Sequence, residues 1–245
     1  MSMFIYYYNM SEYLEILRLE WGPVQYELGL MNYEKSFLNW YIKMRGIDFP
    51  RSIYITEFEY LKNLIITKQL KNGFECGTAF GVSAIALGLG FKETCGHLVT
   101  MDGYIEEKTG NCVDYRYEDN ILQKNSYGFK SVNFLIEHFK LKKIVKPEIG
   151  LSPEDVGKCI LKHTSDKLDF VFIDAGHFPE QLIKDLYSVK PFLDDKYVIV
   201  LHDCFSDLIT PEVERVIELL FGAPLEIVVT GTEGYNLGII DNKKI

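Results

Sequence analysis

The stretch Gly73–Ser83, which reads GFECGTAFGVS, decides the fold of this chain. Its first residues lead to an acid, Glu75, and two glycines follow at Gly77 and Gly81 with three residues between them. An amphipathic helical pattern then begins at Val82. The order predicts a strand, a tight glycine loop and a helix. Such a turn brings backbone N–H groups and a helix N-terminus close to a ligand, because glycine allows close approach and positive φ.

Two cofactor classes use a glycine loop of this kind. Dinucleotide enzymes have the pattern G-x-G-x-x-G, which would require glycine where this chain has Glu75 and Phe80. The pattern present is E-x-G-x-x-x-G-x-S, which resembles the first motif of class I S-adenosylmethionine (SAM)-dependent methyltransferases. A strand–helix turn without any ligand is the structural alternative.

The composition of the chain limits which classes of protein it can belong to. The chain has 245 residues, of which 47% are hydrophobic, enough for one large α/β domain or a domain with a small appendage. A net charge of -9 argues against a nucleic-acid partner. Five cysteines without a C-x-x-C pair argue against disulfides and zinc, and no apolar run reaches membrane-spanning length. We therefore expect a cytoplasmic protein with no nucleic-acid or membrane partner.

The chain divides into an N-terminal helical cap, residues 1–55, and a main domain, residues 56–245. The cap is rich in Tyr and Trp, and the sequence leaves open whether it packs on the domain, walls a substrate pocket or forms a homo-oligomer interface. The main domain starts at Thr56 with a capping-box sequence that predicts a helix to about Gln69.

An acid follows the second predicted strand, at Asp102-Gly103. A carboxylate at this position suits the two vicinal hydroxyls of a nucleoside ribose, and its distance from the glycines equals about one helix and one strand. Asp-Gly is also a common turn pair, so a turn without a ligand is the alternative.

Turn and cap signals predict further boundaries. The helix after the glycine loop is expected to end near Gly88–Gly90. After the third strand, Ser152-Pro153 predicts the N-cap and first position of another helix, with Ser152 also a candidate adenine contact. The irregular stretch 104–127 predicts either a lid, with Tyr115 and Tyr117 as substrate contacts, or a surface excursion.

A second group of chemical residues follows two apolar strands. Phe170–Ile173 is followed by Asp174 and His177, and Tyr197–Leu201 is followed by His202-Asp203. Parallel strands end at the same edge of a sheet, which is where open α/β sheets bind ligands. Two carboxylates and an imidazole suit a general base or a divalent ion such as Mg²⁺. Local capping by Asp174 and a satisfied core histidine at His202 are the alternatives.

These motifs together resemble the class I SAM-dependent methyltransferases, and more narrowly the branch with the macrocin-type sugar O-methyltransferases and the cephalosporin-biosynthesis protein. The resemblance runs from about Thr56 to the C-terminus, through the glycine loop, the strand ending in Asp102, the sequence FIDAGHF and the sequence VIVLHD. It implies a Rossmann-like, doubly wound, mostly parallel sheet with an antiparallel last strand.

The resemblance also implies roles for residues. The cofactor contacts it implies, together with the motif positions, are Glu75, Gly77, Thr78, Gly81, Ser83, Asp102, Gly103, Ser152 and Asp174. Asp174 and Asp203 would bind a divalent metal, and His177 would be a base, with Asp174 and His202 as further catalytic candidates. One departure is Cys204, which stands where many metal-dependent relatives have Asn or Asp as a third ligand.

The function that follows is O-methylation of a hydroxyl on a sugar or small secondary metabolite, with SAM as methyl donor and Mg²⁺ as a candidate metal. A nicotinamide-dependent oxidoreductase and a non-catalytic SAM-fold binding protein are the alternatives. The missing G-x-G-x-x-G pattern counts against the first, and Cys204 leaves the second open.

Overall fold

A computed structural model describes residues 53, 55–79, 81–103, 127–205, 207–229 and 236–242. The predicted N-terminal cap, apart from its last few positions, lies outside the described residues. So does the predicted lid with Tyr115 and Tyr117.

The described elements alternate between strands and helices. The helices are α1 (Ile55–Lys68), α2 (Val82–Thr94), α3 (Tyr127–His138), α4 (Val156–His163), α5 (Pro179–Val189) and α6 (Pro211–Phe221). The strands are β1 (Asn72–Cys76), β2 (His97–Asp102), β3 (Val145–Ile149), β4 (Leu168–Ile173), β5 (Leu193–Leu201), β6 (Glu226–Val229) and β7 (Asn236–Asp241).

The strands form one seven-stranded sheet in the order β3-β2-β1-β4-β5-β7-β6. The strands β1 to β5 pair in parallel, whereas β7 runs antiparallel to both β5 and β6. In β1, Glu75 stands opposite Thr100 of β2 and Phe172 of β4. The predicted Rossmann-like fold with an antiparallel closing hairpin is confirmed.

Helices cover both faces of the sheet. On one face, α1, α2 and α3 pack over strand residues such as Phe170 and Phe172, and on the other, α4, α5 and α6 pack over Phe74 and Val171. Every residue of β4 is buried, as expected of a central parallel strand with helices on both sides. Among the described helices, none is long and apolar enough to cross a membrane.

The predicted end of α2 near Gly88–Gly90 is wrong, because the helix continues to Thr94 and is capped by Cys95 in the left-handed conformation. These glycines allow close packing instead of a stop. A Cβ atom at Gly88 would lie 2.6 Å from a methyl of Val145, and one at Gly90 would lie 3.0 Å from the side chain of Ile65. Helix packing therefore outweighs the glycine propensity to end a helix.

The predicted start of α4 at Ser152-Pro153 is also wrong, since the helix begins at Val156 with Asp155 as its N-cap. The Asp155 carboxylate accepts a hydrogen bond of 3.1 Å from the N–H of Leu151 and closes the turn before the helix. Ser152 is not a cap because its hydroxyl donates to the carboxylate of Asp185 on α5.

Candidate active site

The glycine loop joins β1 to α2 at the carboxyl edge of the sheet. Gly77 and Gly81 have φ of 100° and 99°, a region that side chains disfavour. The N–H of Gly77 donates to the carbonyl of Met101 at 2.9 Å. A Cβ atom at Gly77 would overlap the backbone carbonyl of Asp174, so only glycine lets the loop lie against the end of β4.

Asp102 lies beside this loop at the end of β2. Its Oδ2 accepts a hydrogen bond of 2.8 Å from the N–H of Ala79, which has a positive φ of 46°. The side chain is half-buried, and Gly103 follows it at the edge. The predicted ribose acid and the predicted glycine loop are therefore in direct contact.

Glu75 lies beneath the loop and is fully buried. The hydroxyl of Thr100 donates to its carboxylate and also contacts the hydroxyl of Thr78. Burial raises the pKa of Glu75 to about 8, although hydrogen bonds from Ser83 and Thr100 oppose the rise. The predicted cofactor residues Glu75, Thr78 and Ser83 thus form a buried polar support under the glycines.

This support predicts a pH dependence of stability. The pKa of Glu75 is about 8 in the folded protein, against an ordinary value of 4.5. The stability it contributes is complete below about pH 4.5 and is lost as pH rises through about 8. Relative to Glu75→Gln, the wild-type free energy of unfolding should therefore fall over this range, by at most about 1.4 kcal/mol per pH unit.

Urea unfolding of both proteins at about pH 5, 6.5 and 8 measures this difference. Glu137→Gln, at an exposed position on α3, should follow the wild-type curve at every pH. Parallel curves for the wild type and Glu75→Gln would contradict the prediction.

Acids and imidazoles converge at the ends of β4 and β5, as the sequence predicts. His202 Nδ1 lies 3.1 Å from Asp174 Oδ1 and 3.2 Å from Asp203 Oδ1. His177 Nε2 lies 3.2 Å from Asp203 Oδ2 and 3.7 Å from Asp174 Oδ1. His202 is buried whereas His177 is about half exposed, so His177 is the more accessible of the two imidazoles.

Glu57 is the member of this cluster that the sequence reasoning missed. It is fully buried in the first turn of α1, and its Oε2 lies 3.2 Å from Nε2 of His202. The capping-box sequence that begins at Thr56 predicted only where the helix starts. The signal for burial was its spacing, because Glu57 precedes Leu61 by four residues and Leu64 by seven, on the apolar face of the helix.

The charges of the cluster support one another. Burial alone would lower the pKa of His202, but Asp174, Asp203 and Glu57 raise it well above its ordinary value. Burial alone would raise the pKa of Asp174, but the two histidines hold it below its usual range. A hydrogen bond with Asp174 raises the pKa of His177 against the opposing effect of burial. The two histidines thus favour the ionised form of Asp174.

The backbone around Asp203 fixes the second acid. Asp203 has a φ of 54°, which a non-glycine residue rarely adopts and which is typical of strained functional sites. The flanking N–H groups hold this conformation, with that of His202 donating to Ile173 at 3.0 Å and that of Cys204 donating to Asn236 at 2.9 Å. The strained residue is thus anchored to β4 on one side and β7 on the other.

The donor set fits a divalent ion. One ligand atom each from Asp174, His177 and Asp203 lies within 4.8 Å of the others. Two carboxylates and one imidazole are ligands that divalent cations accept. Cys204 does not add a ligand, because its buried thiol contacts the carbonyl of Leu201 at 3.6 Å and burial raises its pKa to about 12. Position 204, where many metal-dependent relatives have a third oxygen ligand, is therefore occupied by a buried core residue.

The fold and this edge define a Rossmann-like α/β protein with a glycine loop and a cluster of acids and imidazoles at the carboxyl ends of the strands. A family model described as a methyltransferase domain matches residues 74–204, more than half of the chain, and the chain belongs to that family. The resemblance to class I SAM-dependent methyltransferases is confirmed, whereas the macrocin-type branch stays a prediction.

Solved structures share the fold. An O-methyltransferase from Bacillus cereus in complex with SAH has 19% identity and a TM-score of 0.58, with 89% of this chain and 96% of that one covered. TomG, an O-methyltransferase from Streptomyces achromogenes in complex with SAM, has 18% identity and a TM-score of 0.58, with 90% and 96% covered. SAH-bound PaMTH1 from Podospora anserina has 12% identity and a TM-score of 0.52, with 83% and 85% covered. No curated protein sequence matches the chain.

Proposed function

We propose that the chain is a SAM-dependent O-methyltransferase that acts on a hydroxyl of a sugar or small secondary metabolite. The observation that carries the proposal is the contact between Gly77 of the glycine loop and the backbone of Asp174, which begins the cluster of acids and imidazoles. A methyl donor held by the loop would lie beside a base. The match to a methyltransferase family favours this function over a nicotinamide-dependent oxidoreductase.

In this mechanism the glycine loop and Asp102 hold the methionine and ribose parts of SAM, and the half-exposed His177 faces the acceptor hydroxyl. The acceptor oxygen forms a bond to the methyl carbon as the carbon–sulfur bond breaks, which leaves SAH. The hydroxyl proton passes to Nδ1 of His177, because Nε2 faces Asp203 and Asp174 as the donor, and the two carboxylates stabilise the imidazolium that forms. His202 holds both carboxylates in position from the buried side.

A divalent metal would be held by Asp174, Asp203 and His177. When bound, such an ion lowers the pKa of a hydroxyl and orients it. Without a metal, Asp174 is the alternative acceptor of the hydroxyl proton.

Isothermal titration with SAH tests the proposal, and we expect one site per chain. Incubation with SAM and a panel of hydroxylated sugars and phenols, with and without Mg²⁺ or Mn²⁺, should then release SAH with at least one acceptor. A protein that binds neither SAM nor SAH under any of these conditions would refute the proposal. A change in NADH fluorescence on mixing would favour the oxidoreductase instead.

A further inference from the structure

Two loops of the proposed cofactor site meet at the amino-terminal half of α5. They are the turn 150–155 after β3 and the segment 174–178 after β4. Two side chains of α5, Gln181 and Asp185, reach toward these loops, and neither belongs to the acid and imidazole cluster. They form a second polar group in the described part of the site, and the reaction mechanism does not use it.

Ser152 in the turn after β3 is held by both side chains. Its hydroxyl donates to Oδ1 of Asp185, and its carbonyl accepts a hydrogen bond of 3.1 Å from Nε2 of Gln181. The same Nε2 donates to Oδ1 of Asp185 at 2.8 Å. Asp185 is fully buried, so these hydrogen bonds are shielded from water. We call these three residues the Ser152–Asp185–Gln181 network.

Gln181 also contacts the segment that carries the catalytic candidates. A Cβ atom placed on Gly176 would lie 2.5 Å from Cγ and 3.1 Å from Cβ of Gln181, and the third nearest atom is Cδ of the same side chain. Gly176 lies between Asp174 and His177. One side chain therefore contacts the turn after β3 on one side and the catalytic segment on the other.

The end of β1 joins the same network. Cys76, the residue before Gly77, is fully buried, and burial raises the pKa of its thiol well above the ordinary value. Asp185 acts in the same direction, whereas a side-chain hydrogen bond with Ser152 opposes the rise. The network therefore contacts the turn after β3 through Ser152 and the segment after β4 through Gln181, and Cys76 at the end of β1 lies near it.

From these contacts we infer that Gln181 and Asp185 are positioning residues that couple cofactor binding at the turn after β3 to the placement of the catalytic segment after β4. The inference rests on the proposed function, because it assigns the nucleoside of SAM to the edge formed by these loops. Without the network, the turn and the catalytic segment would each be ordered separately when the cofactor binds, and that ordering costs affinity.

Calorimetric titration of SAH into Gln181→Ala tests the inference. The substitution removes the hydrogen bonds from Gln181 to Ser152 and Asp185. If the free energy of two hydrogen bonds of ordinary strength is lost from binding, the Kd of SAH should increase about tenfold. Ser152→Ala should raise the Kd of SAH as well, and Ser152→Thr, which keeps the hydroxyl, should restore part of it. Val189→Ala, at a buried position near the end of α5, should lower the melting temperature and leave the Kd unchanged.

Gly176→Ala supplies a double-mutant cycle. Because the three nearest atoms to an added methyl all belong to Gln181, the methyl should displace that side chain and raise the Kd of SAH several-fold. In the Gln181→Ala background the atom at 2.5 Å is gone and only Cβ remains, at 3.1 Å, so the same substitution should raise the Kd by about twofold or less. Additive effects of the two substitutions would overturn the coupling.

The outcomes separate the two proposals. Wild-type protein that does not bind SAH would overturn the proposed function and this inference together. Wild-type protein that binds SAH, with the same Kd in Gln181→Ala, would overturn only the inference. A Kd for Gln181→Ala that rises no more than that of Val189→Ala would do the same, since general destabilisation would then explain it.

Discussion

Gly77→Ala is expected to weaken SAH binding at least about a hundredfold, which corresponds to roughly 2.7 kcal/mol. Gly77 has a φ of 100°, so an alanine there pays a backbone cost of about 1 to 2 kcal/mol. The added methyl would also overlap the carbonyl of Asp174. Because that obstacle is backbone and not the end of a flexible side chain, the glycine loop must move away from β4, and the cofactor loses its binding surface.

The chain offers a matched control for the backbone cost alone. Gly222 also has a positive φ, 64°, and a Cβ atom there would meet nothing within 4 Å. Gly222→Ala should therefore lower the free energy of unfolding by about 1 kcal/mol and leave the Kd of SAH unchanged. Isothermal titration and urea unfolding of both variants measure the two quantities. A Gly77→Ala protein that binds SAH like the wild type would show that the loop does not contact the cofactor.

The order of elements was predictable because local patterns agreed with the tertiary structure. The glycine loop, the apolar run of β4 and the acids after β2, β4 and β5 each have a short-range signal, and parallel strands place their ends at one edge. The convergence of Asp174, His177, His202 and Asp203 follows from that rule alone.

The errors arose where distant residues decide a local conformation. Gly88 resembles a helix stop until Val145 is seen to pack against it, and Ser152 resembles an N-cap until Asp185 competes for its hydroxyl. Glu57 lies in a capping-box sequence, and no sequence pattern shows that Nε2 of His202 lies 3.2 Å from its carboxylate. In each case a partner at least 30 residues distant in sequence changes the role of the residue, and spacing within one element cannot show this.

The contact with Glu57 indicates which role His202 has in the cluster. His202 contacts Asp174 and Asp203 through one ring nitrogen and Glu57 through the other. Contacts at both ring nitrogens therefore fix the orientation of His202. His202 in turn holds the side chains of the two aspartates in place. The first described helix thus contributes Glu57 to the cluster, which supports assigning His202 to positioning and His177 to proton transfer.

Asp174→Asn is expected to reduce kcat by about 10² to 10⁴, the usual contribution of general acid–base catalysis. Asp174 Oδ1 lies 3.1 Å from His202 and 3.7 Å from His177. An amide in its place keeps the shape but removes the charge that stabilises an imidazolium. The Kd of SAH should change much less than kcat, because the backbone of Asp174, which contacts the glycine loop, is retained.

Asp169→Asn is the matched control, because it lies on the same strand at the opposite edge of the sheet. The Asp169 carboxylate accepts hydrogen bonds of 2.9 to 3.0 Å from the N–H groups of Lys71 and Asn72, which fix the start of β1. Its loss should lower the melting temperature and leave kcat within about twofold. kcat is measured with SAM and an acceptor that the hydroxyl panel identifies. If Asp174→Asn kept wild-type turnover, Asp174 would have no role in the chemistry, and the proton would have to pass to His177 without its help.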